Sequence, residues 1–484
     1  MELKLGEYLY IINEKTGESL PIPDGYKYEF LNDIEEIMSH VENKPDLLSD
    51  AYYYETVNIS LNLTKNCNLA CKYCFNHEKE NKSLSYLDAI KFIELIIKST
   101  PNAKQYVIDL AGSGEPLLEY EKILKIAEYA YNKSNEIHKH IMPQLVSNGT
   151  LLTKDKVEAL QKANVLFGVS IDGKKKIHDQ NRIDRGGNGT FDKIMKNVKA
   201  IKHRDFVGAA VTISNDNIDI VNTVKFLSKY FNTVSVKIMR PEQNDRLNYQ
   251  AINESYKELA KYILKEASKG SIKTLKTLLN GDDFFGKYLF RVFGNFRCYS
   301  RCDAGIGKFS MDYSGSIYTC SGGVGNLKLC VGNLKDGIDF DFARKLQASS
   351  FENETCKHCK YNAICSGECL VVMANNNSIS TDMCKIKKNL IELALYIKAE
   401  FTYKYSSLLN ELYEFLNEKG SRSLGDDELI ELSKITDKYT FMELKALKDN
   451  KDSKYDKIKE EFYSSFIFIQ YITLSISLPL EYTQ

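Results

Sequence analysis

The sequence predicts an α/β chain: an open barrel of six strand–helix units, then a small cysteine-rich α+β unit, then a helical extension. Three observations predict it. Strand-like and helix-like runs alternate between residue 56 and about residue 240. Nine of the twelve cysteines fall between 298 and 384. Beyond Cys384 the apolar residues recur at helical spacing among charged ones.

Residues 1–55 precede the barrel. Runs over 7–12 and 19–22 pair as a hairpin across Asn13–Gly17, and 33–41 reads as a short helix. This segment is expected either to cap one end of the barrel or to contribute to a docking site for a peptide leader. Strands are predicted over 57–63, 106–111, 143–147, 166–171, 208–213 and 235–239. Helices are predicted over 86–98, 120–132, 154–163, 191–203 and 218–230. Strands that alternate with helices make a parallel sheet with the helices outside. The count fits a partial (β/α)6 TIM-type barrel, whose site lies at the C-terminal ends of the strands. Residues 56–296 are assigned to the barrel and its connecting helices, 297–389 to the cysteine-rich unit and 390–484 to the helical extension.

Chemistry-bearing residues gather at those strand ends. After the first strand comes Cys67-x3-Cys71-x2-Cys74, followed by Phe75. Three thiolates on so short a loop suit an iron–sulfur cube and leave one of its four irons open. A structural zinc site would close with four ligands, and no fourth cysteine lies nearby. After the second strand, Gly112-Ser113-Gly114-Glu115-Pro116 combines small residues with an acceptor for an ammonium group. Ser147-Asn148-Gly149-Thr150 follows the third strand. Ser170-Ile171-Asp172-Gly173 and Asn181-Arg182 follow the fourth. The Arg182 guanidinium suits a carboxylate, because it can make two parallel hydrogen bonds.

The cysteine spacing with Phe75 resembles the signature of the radical S-adenosylmethionine (radical SAM) enzymes. The resemblance implies that Cys67, Cys71 and Cys74 hold a [4Fe-4S] cluster. Its open iron would chelate S-adenosylmethionine, which is cleaved to a 5′-deoxyadenosyl radical. Gly114 and Glu115 stand in a motif similar to the family's Gly-Gly-Glu-Pro, with Ser113 where the first of its two glycines usually is. The resemblance places Ser147 and Asn148 near the ribose, and Ser170 and Arg182 at the methionine carboxylate and ribose.

The second half reads Cys302-x12-Gly315-x4-Cys320, then Cys356-x2-Cys359-x5-Cys365-x3-Cys369, then Cys384. Spacing for spacing, it resembles the SPASM domain appended to many radical SAM enzymes. The resemblance implies two auxiliary four-iron clusters, three in the whole chain. One would use Cys302, Cys320 and Cys369, with Cys298 as the upstream fourth ligand. The other would use Cys356, Cys359, Cys365 and Cys384. Cys330 is left over, as an ordinary thiol in a strand, a replacement for Cys298 or a hydrogen donor. Gly315 is expected in a hairpin turn between 307–311 and 317–319. His138-x-His140 reads as a solvated loop rather than a metal pair, and His77 receives no role.

Lys+Arg and Asp+Glu both number 65, so net charge gives no case for nucleic acid. The N-terminus has no apolar signal region. The most apolar run, 466–478, is too short to cross a membrane. Cysteines in ligand patterns belong in a reducing, cytoplasmic setting rather than in disulfides. The resemblance implies a maturase for a ribosomally made precursor peptide, served by a one-electron reductant such as flavodoxin or ferredoxin. The expected reaction is hydrogen abstraction and oxidative cross-linking to a cysteine thioether. The alternatives are formylglycine formation by an anaerobic sulfatase maturase and peptide epimerisation. Ser321 stands where the sulfatase maturases usually carry an aspartate base, which counts against the first of these.

Overall fold

Alternation marks β-strands of the main sheet that have one face toward the helices and one toward the barrel interior. Val207, Ala209, Val211 and Ile213 are buried, while Gly208, Ala210 and Thr212 between them are half-buried. The same alternation runs through His140–Ser147. The computed structural model describes residues 1–41, 55–74, 76, 79–201, 207–239, 247–280, 283–294, 302–350, 353–376, 378–423, 439–449 and 451–458.

The chain opens with β1 (Glu2–Leu5), β2 (Tyr8–Ile12), β3 (Ser19–Pro23) and α1 (Leu31–Ser39). The barrel runs β4 (Thr56–Leu61), α2 (Tyr86–Ser99), β5 (Gln105–Asp109), α3 (Tyr120–Ile137), β6 (His140–Ser147), α4 (Lys154–Lys162) and β7 (Leu166–Ser170). It continues with α5 (Lys175–Asn181), α6 (Phe191–Ala200), β8 (Val207–Ile213), α7 (Ile220–Leu227) and β9 (Thr233–Ile238). Helices α8 (Tyr249–Ala267), α9 (Lys273–Leu278) and α10 (Gly286–Phe293) lead to the second half. There lie β10 (Lys308–Met311), β11 (Ser316–Tyr318), β12 (Cys330–Asn333) and β13 (Gly337–Ile338). Helices α11 (Phe340–Ser349), α12 (Glu354–Lys357), α13 (Asn362–Cys365), α14 (Leu370–Asn376), α15 (Thr381–Lys404), α16 (Ser406–Ser423) and α17 (Phe441–Asp449) follow.

Strands β4 to β9 pair in parallel in sequence order, as the repeating pattern predicts. Helix starts follow their caps. Ser85 accepts from Asp88 N at the start of α2, and Thr153 from Lys156 N at the start of α4. Helix α3 runs to Ile137, past the expected 132, because Ser134 turns inward and the stop comes at His138 with φ +51°.

The hairpin expected around Gly315 forms, with Gly315 at φ +84°, but it is not a separate sheet. Strand β10 pairs in parallel with β4, which extends the barrel sheet to ten strands. The opposite edge, at β9, is covered by the turn before α10. Asp283 accepts from Val236 N at 2.7 Å, and Phe284 N donates to Val236 O at 2.9 Å.

The N-terminal sheet packs on α15. Tyr8 OH donates to Glu400 at 2.9 Å, Tyr10 OH donates to Leu395 O, and Tyr403 OH donates to Pro21 O at 2.6 Å. The partner of the hairpin is thus the long helix that begins beside Cys384. The tail returns to the barrel: Met442 N donates to Asn135 on α3, and Met442, Leu444, Tyr455 and Ile458 pack with Tyr131. Residues 424–438 of the expected helical extension and the apolar run 466–478 lie outside the described residues. Among the described residues no helix is long and apolar enough to cross a membrane.

Candidate active site

The three-cysteine loop leaves β4 and is held from two sides. On one side it bonds to the segment after α5. Ala70 N donates to Ile183 O at 2.8 Å, and Lys72 N to Asn181 O at 3.0 Å. Arg185 donates to Cys67 O at 3.0 Å and to Asn66 Oδ1 at 2.7 Å. On the other side stands the loop after β5. Glu115 N donates to Asn66 O at 2.8 Å. A Cβ at Gly114 would collide with the carbonyl oxygens of Thr64 and Asn66, so only glycine fits there. Just past the cysteines, Asn76 Nδ2 ties Lys65 O at 3.0 Å to Ser113 O at 2.7 Å.

Burial pushes the Cys67 and Cys71 thiols up, and the neighbouring Cys74 adds to both. Arg182 opposes this at Cys71 and Lys79 at both. Among the described residues no three His, Cys, Asp or Glu side chains converge on a single ion. A cube asks for something else, since each thiolate binds a different iron and the sulfurs stand further apart. The donor set of three clustered thiols fits such a cube. Beside it, the Nδ2 of buried Asn181 takes no partner among the described residues, a donor left over for a ligand.

Glu115 is buried and is used internally. It accepts from Ser147 Oγ at 2.7 Å, Asn148 N at 2.7 Å and Leu117 N at 3.1 Å. These bonds fill three of the roughly four acceptor positions of a carboxylate. Burial raises its pKa and the three donors lower it again, with a net rise. Glu115 thus brackets the ends of β5 and β6. Asn148 Nδ2 donates to Asn68 Oδ1 at 2.8 Å and lies 3.9 Å from Cys67 Sγ. Ser170 ends β7, half-buried.

Arg182 is where the structure adds most to the sequence reading. Its Nε and Nη2 donate to the two oxygens of Asp172, at 2.9 and 3.1 Å, and both residues are buried. The Tyr73 hydroxyl, between Cys71 and Cys74, donates to the same carboxylate, and the guanidinium lies 5.3 Å from the Tyr73 ring centre. Asp172 N donates to His178 Nδ1 at 3.3 Å, so the imidazole proton sits on Nε2. Nε2 meets Thr190 Oγ1 at 3.0 Å, and that hydroxyl donates to Arg182 O at 2.9 Å. Burial and then Arg182 press the His178 pKa down to about 4, which keeps this tautomer neutral. The sequence marks Asp172 only within the Ser170–Gly173 motif and singles out no role for Tyr73. An acid ten residues before an arginine, with an aromatic inside the cysteine loop, was the available signal.

Six of the described second-half cysteines fall in two groups. Cys320 and Cys369 pack on the apolar cluster of Ala304, Leu329, Leu370 and Val371. Cys302 stands at the start of this unit, its carbonyl held by Gln347. Cys356, Cys359 and Cys365 lie on and between α12 and α13, facing Cys384 in the first turn of α15. Burial raises the Cys356 and Cys384 thiols. Cys365 adds to both, and Cys359 adds at Cys384. Cys330 begins β12 opposite Tyr318, its thiol 3.5 Å from Gly332 O. Phe75, His77 and Cys298 lie outside the described residues. His138 ends α3 and His140 begins β6, where burial lowers the His140 pKa to about 4.

Residues 61–227 match the family model described as the radical SAM superfamily. The cysteine-type anaerobic sulfatase-maturating enzyme of Clostridium perfringens (strain 13 / Type A) is 26% identical over 332 residues, 63% of this chain and 85% of that enzyme. The radical SAM cyclopropyl synthase TigE of Paramaledivibacter caminithermalis is 24% identical over 386 residues, 74% of this chain and 76% of the synthase. Among solved structures, native anSMEcpe with bound AdoMet and the Cp18Cys peptide superposes with a TM-score of 0.58 at 19% identity. That superposition covers 74% of this chain and 99% of the other, and it carries the fold. The family match over the barrel, with the cysteine loop at its strand ends, identifies residues 61–227 as a radical SAM domain, in a chain homologous to the anaerobic sulfatase maturases and to the cyclopropyl synthase.

Proposed function

We propose that this enzyme matures a ribosomally made precursor peptide, taking a hydrogen from one residue and closing an oxidative cross-link, a cysteine-to-carbon thioether. Cys67, Cys71 and Cys74 hold the [4Fe-4S] cluster of the family. Cys298, Cys302, Cys320 and Cys369 hold a second, and Cys356, Cys359, Cys365 and Cys384 a third. When bound, the clusters and S-adenosylmethionine supply a carbon radical that removes a hydrogen atom and an acceptor for the electron released as the product closes. Phe75, Gly114, Glu115, Ser147, Asn148, Ser170 and Arg182 form the S-adenosylmethionine site. Within it Glu115 fixes the two strand-end loops, Asn181 and Arg182 offer donors, and the two flanking segments hold the cysteine loop in shape. Flavodoxin or ferredoxin supplies the electron, in the cytoplasm.

The observation that carries this reading is the second-half architecture. Four cysteines are gathered around the start of α15 and others around one apolar cluster, on a sheet continuous with the barrel. Formylglycine formation is the second reading, supported by the sulfatase-maturating relatives. Ser321, in a short turn after Cys320, offers no carboxylate base where that reaction places one.

The test is the mass of a cysteine-containing peptide encoded beside the gene, after anaerobic co-expression. Loss of two hydrogen masses together with loss of thiol alkylation is the expected result. A cysteine converted to an aldehyde would establish the second reading, and an unchanged mass would overturn cross-linking of that peptide.

A further inference from the structure

The carboxylate of Asp172 is saturated from within the protein. It accepts two bonds from Arg182, one from Thr212 N at 3.0 Å and one from Tyr73 OH. These fill the four acceptor positions a carboxylate offers. Asp172 is fully buried, so it has neither room nor a lone pair for substrate or cofactor. Whatever it contributes, it contributes through its partners.

Those partners lie on both walls of the site. Tyr73 belongs to the three-cysteine loop, and Arg182 to the segment paired with that loop. Asp172 takes the Nε–Nη2 edge of the guanidinium. A guanidinium carries five N–H donors in a rigid fork, so the Nη1 end remains for a second acceptor. The backbone of Arg182 is fixed from the same origin, through Asp172 N, His178 and Thr190. Side chain and main chain of Arg182 are thus both referred to one residue, which also holds the ring between Cys71 and Cys74.

We propose that Asp172 is a positioning residue for cofactor binding: it orients Arg182 so that the remaining edge of the guanidinium receives the S-adenosylmethionine carboxylate in register with the cysteine loop. The proposal rests on the reading of Arg182 as the carboxylate donor. It predicts that charge at position 182 is not enough. The guanidinium must be held by its other edge, and loss of the holder is felt only while Arg182 is present.

The experiment is a double-mutant cycle on full-length, anaerobically reconstituted protein, with Asp172→Asn, Arg182→Met and the double variant. S-adenosylmethionine affinity is measured by equilibrium dialysis. The change it induces in the paramagnetic resonance spectrum of the reduced protein is recorded at matched iron content. Each single variant is expected to bind about tenfold more weakly or worse, the scale of one misplaced charge-assisted hydrogen bond. The double variant is expected to bind no more weakly than Arg182→Met alone, with the induced spectral change lost in all three. Asp172→Asn binding as tightly as the native enzyme, while Arg182→Met does not, would overturn the proposal and leave the Arg182 reading standing. Additive losses would overturn it too. Native affinity in Arg182→Met would remove the reading and the proposal with it. Should Asp172→Asn fail to fold, Arg182→Lys takes its place. Lysine keeps the charge but cannot engage Asp172 through two bonds, so unchanged affinity in that variant overturns the proposal.

Discussion

Lys387 Nζ lies 2.6 Å from Glu368 Oε1, and both side chains are almost wholly buried. Lys387 stands one turn after Cys384 on α15, and Glu368 precedes Cys369 and accepts from Cys369 N at 2.7 Å. The ion pair therefore pins the loop that bears Cys365 and Cys369 to the helix that bears Cys384. Replacing one partner leaves the other charge buried. Lys387→Met is expected to cost about 3–5 kcal/mol in urea unfolding. The double change with Glu368→Gln should recover much of it. A single-variant loss within experimental error would show that the pair does not hold the loop.

Cys71→Ala should abolish release of 5′-deoxyadenosine while iron at the second-half cysteines is retained. Chromatography of the nucleoside product and iron analysis check both halves of the statement. Continued cleavage would move the radical-generating site elsewhere.

Cys359→Ala separates radical generation from product formation. Cleavage of S-adenosylmethionine should continue, uncoupled, while the mass of the peptide stays unchanged. Full product from this variant would remove any redox or substrate-binding role for the Cys356–Cys384 group.

Glu115→Ala strips the acceptor from two backbone amides and one hydroxyl at the ends of β5 and β6. Each buried donor left unsatisfied costs about 1–3 kcal/mol. Thermal unfolding of the cluster-free protein should register the loss before any cofactor is involved. An unchanged midpoint would reduce Glu115 to a ligand contact.

Lys398, buried on α15 with its ammonium 3.2 Å from Ser19 O, has its pKa lowered to about 7, chiefly by burial and partly offset by Glu18. The unfolded chain holds this proton up to the ordinary lysine range, the folded chain only below about pH 7. Between those limits the unfolded state binds more protons, so stability rises with pH, by up to about 1.4 kcal/mol per unit from this group. Lys398→Met should flatten that slope in urea titrations between neutral and alkaline pH. An unaltered slope would assign it to other groups.

The barrel strands and the helices that separate them were legible because each is written in neighbouring residues: strand-like runs and three- and four-residue apolar spacing. What was not legible depends on contacts across long separations. Nothing in the hairpin around Gly315 announces that β10 will pair with β4, some 250 residues earlier. The start of β6 at His140 was hidden behind charged residues, and the length of α3 behind polar ones that turn inward. At the site, residue types were readable and their partners were not. Arg182 was seen as a donor for a ligand, but a sequence does not say that a carboxylate ten residues away takes one edge of it. Glu115 was read as an acceptor, while the bonds that occupy it come from the next strand end.

The pairing of β10 with β4 bears on how the two halves could ever be parted. Strand β4 supplies the loop of Cys67, and β10 covers its only other hydrogen-bonding edge. A chain cut before residue 302 would present Thr56–Leu61 as a bare, apolar ladder open to any passing strand. The barrel half is therefore not a portable module to which a cysteine-rich unit was appended. Recombinant fragments that end at the apparent boundary should gather into aggregates, and swaps of the second half between relatives should work only where the donor's first strand repeats the register Asn58 to Lys308 through Leu61 to Met311.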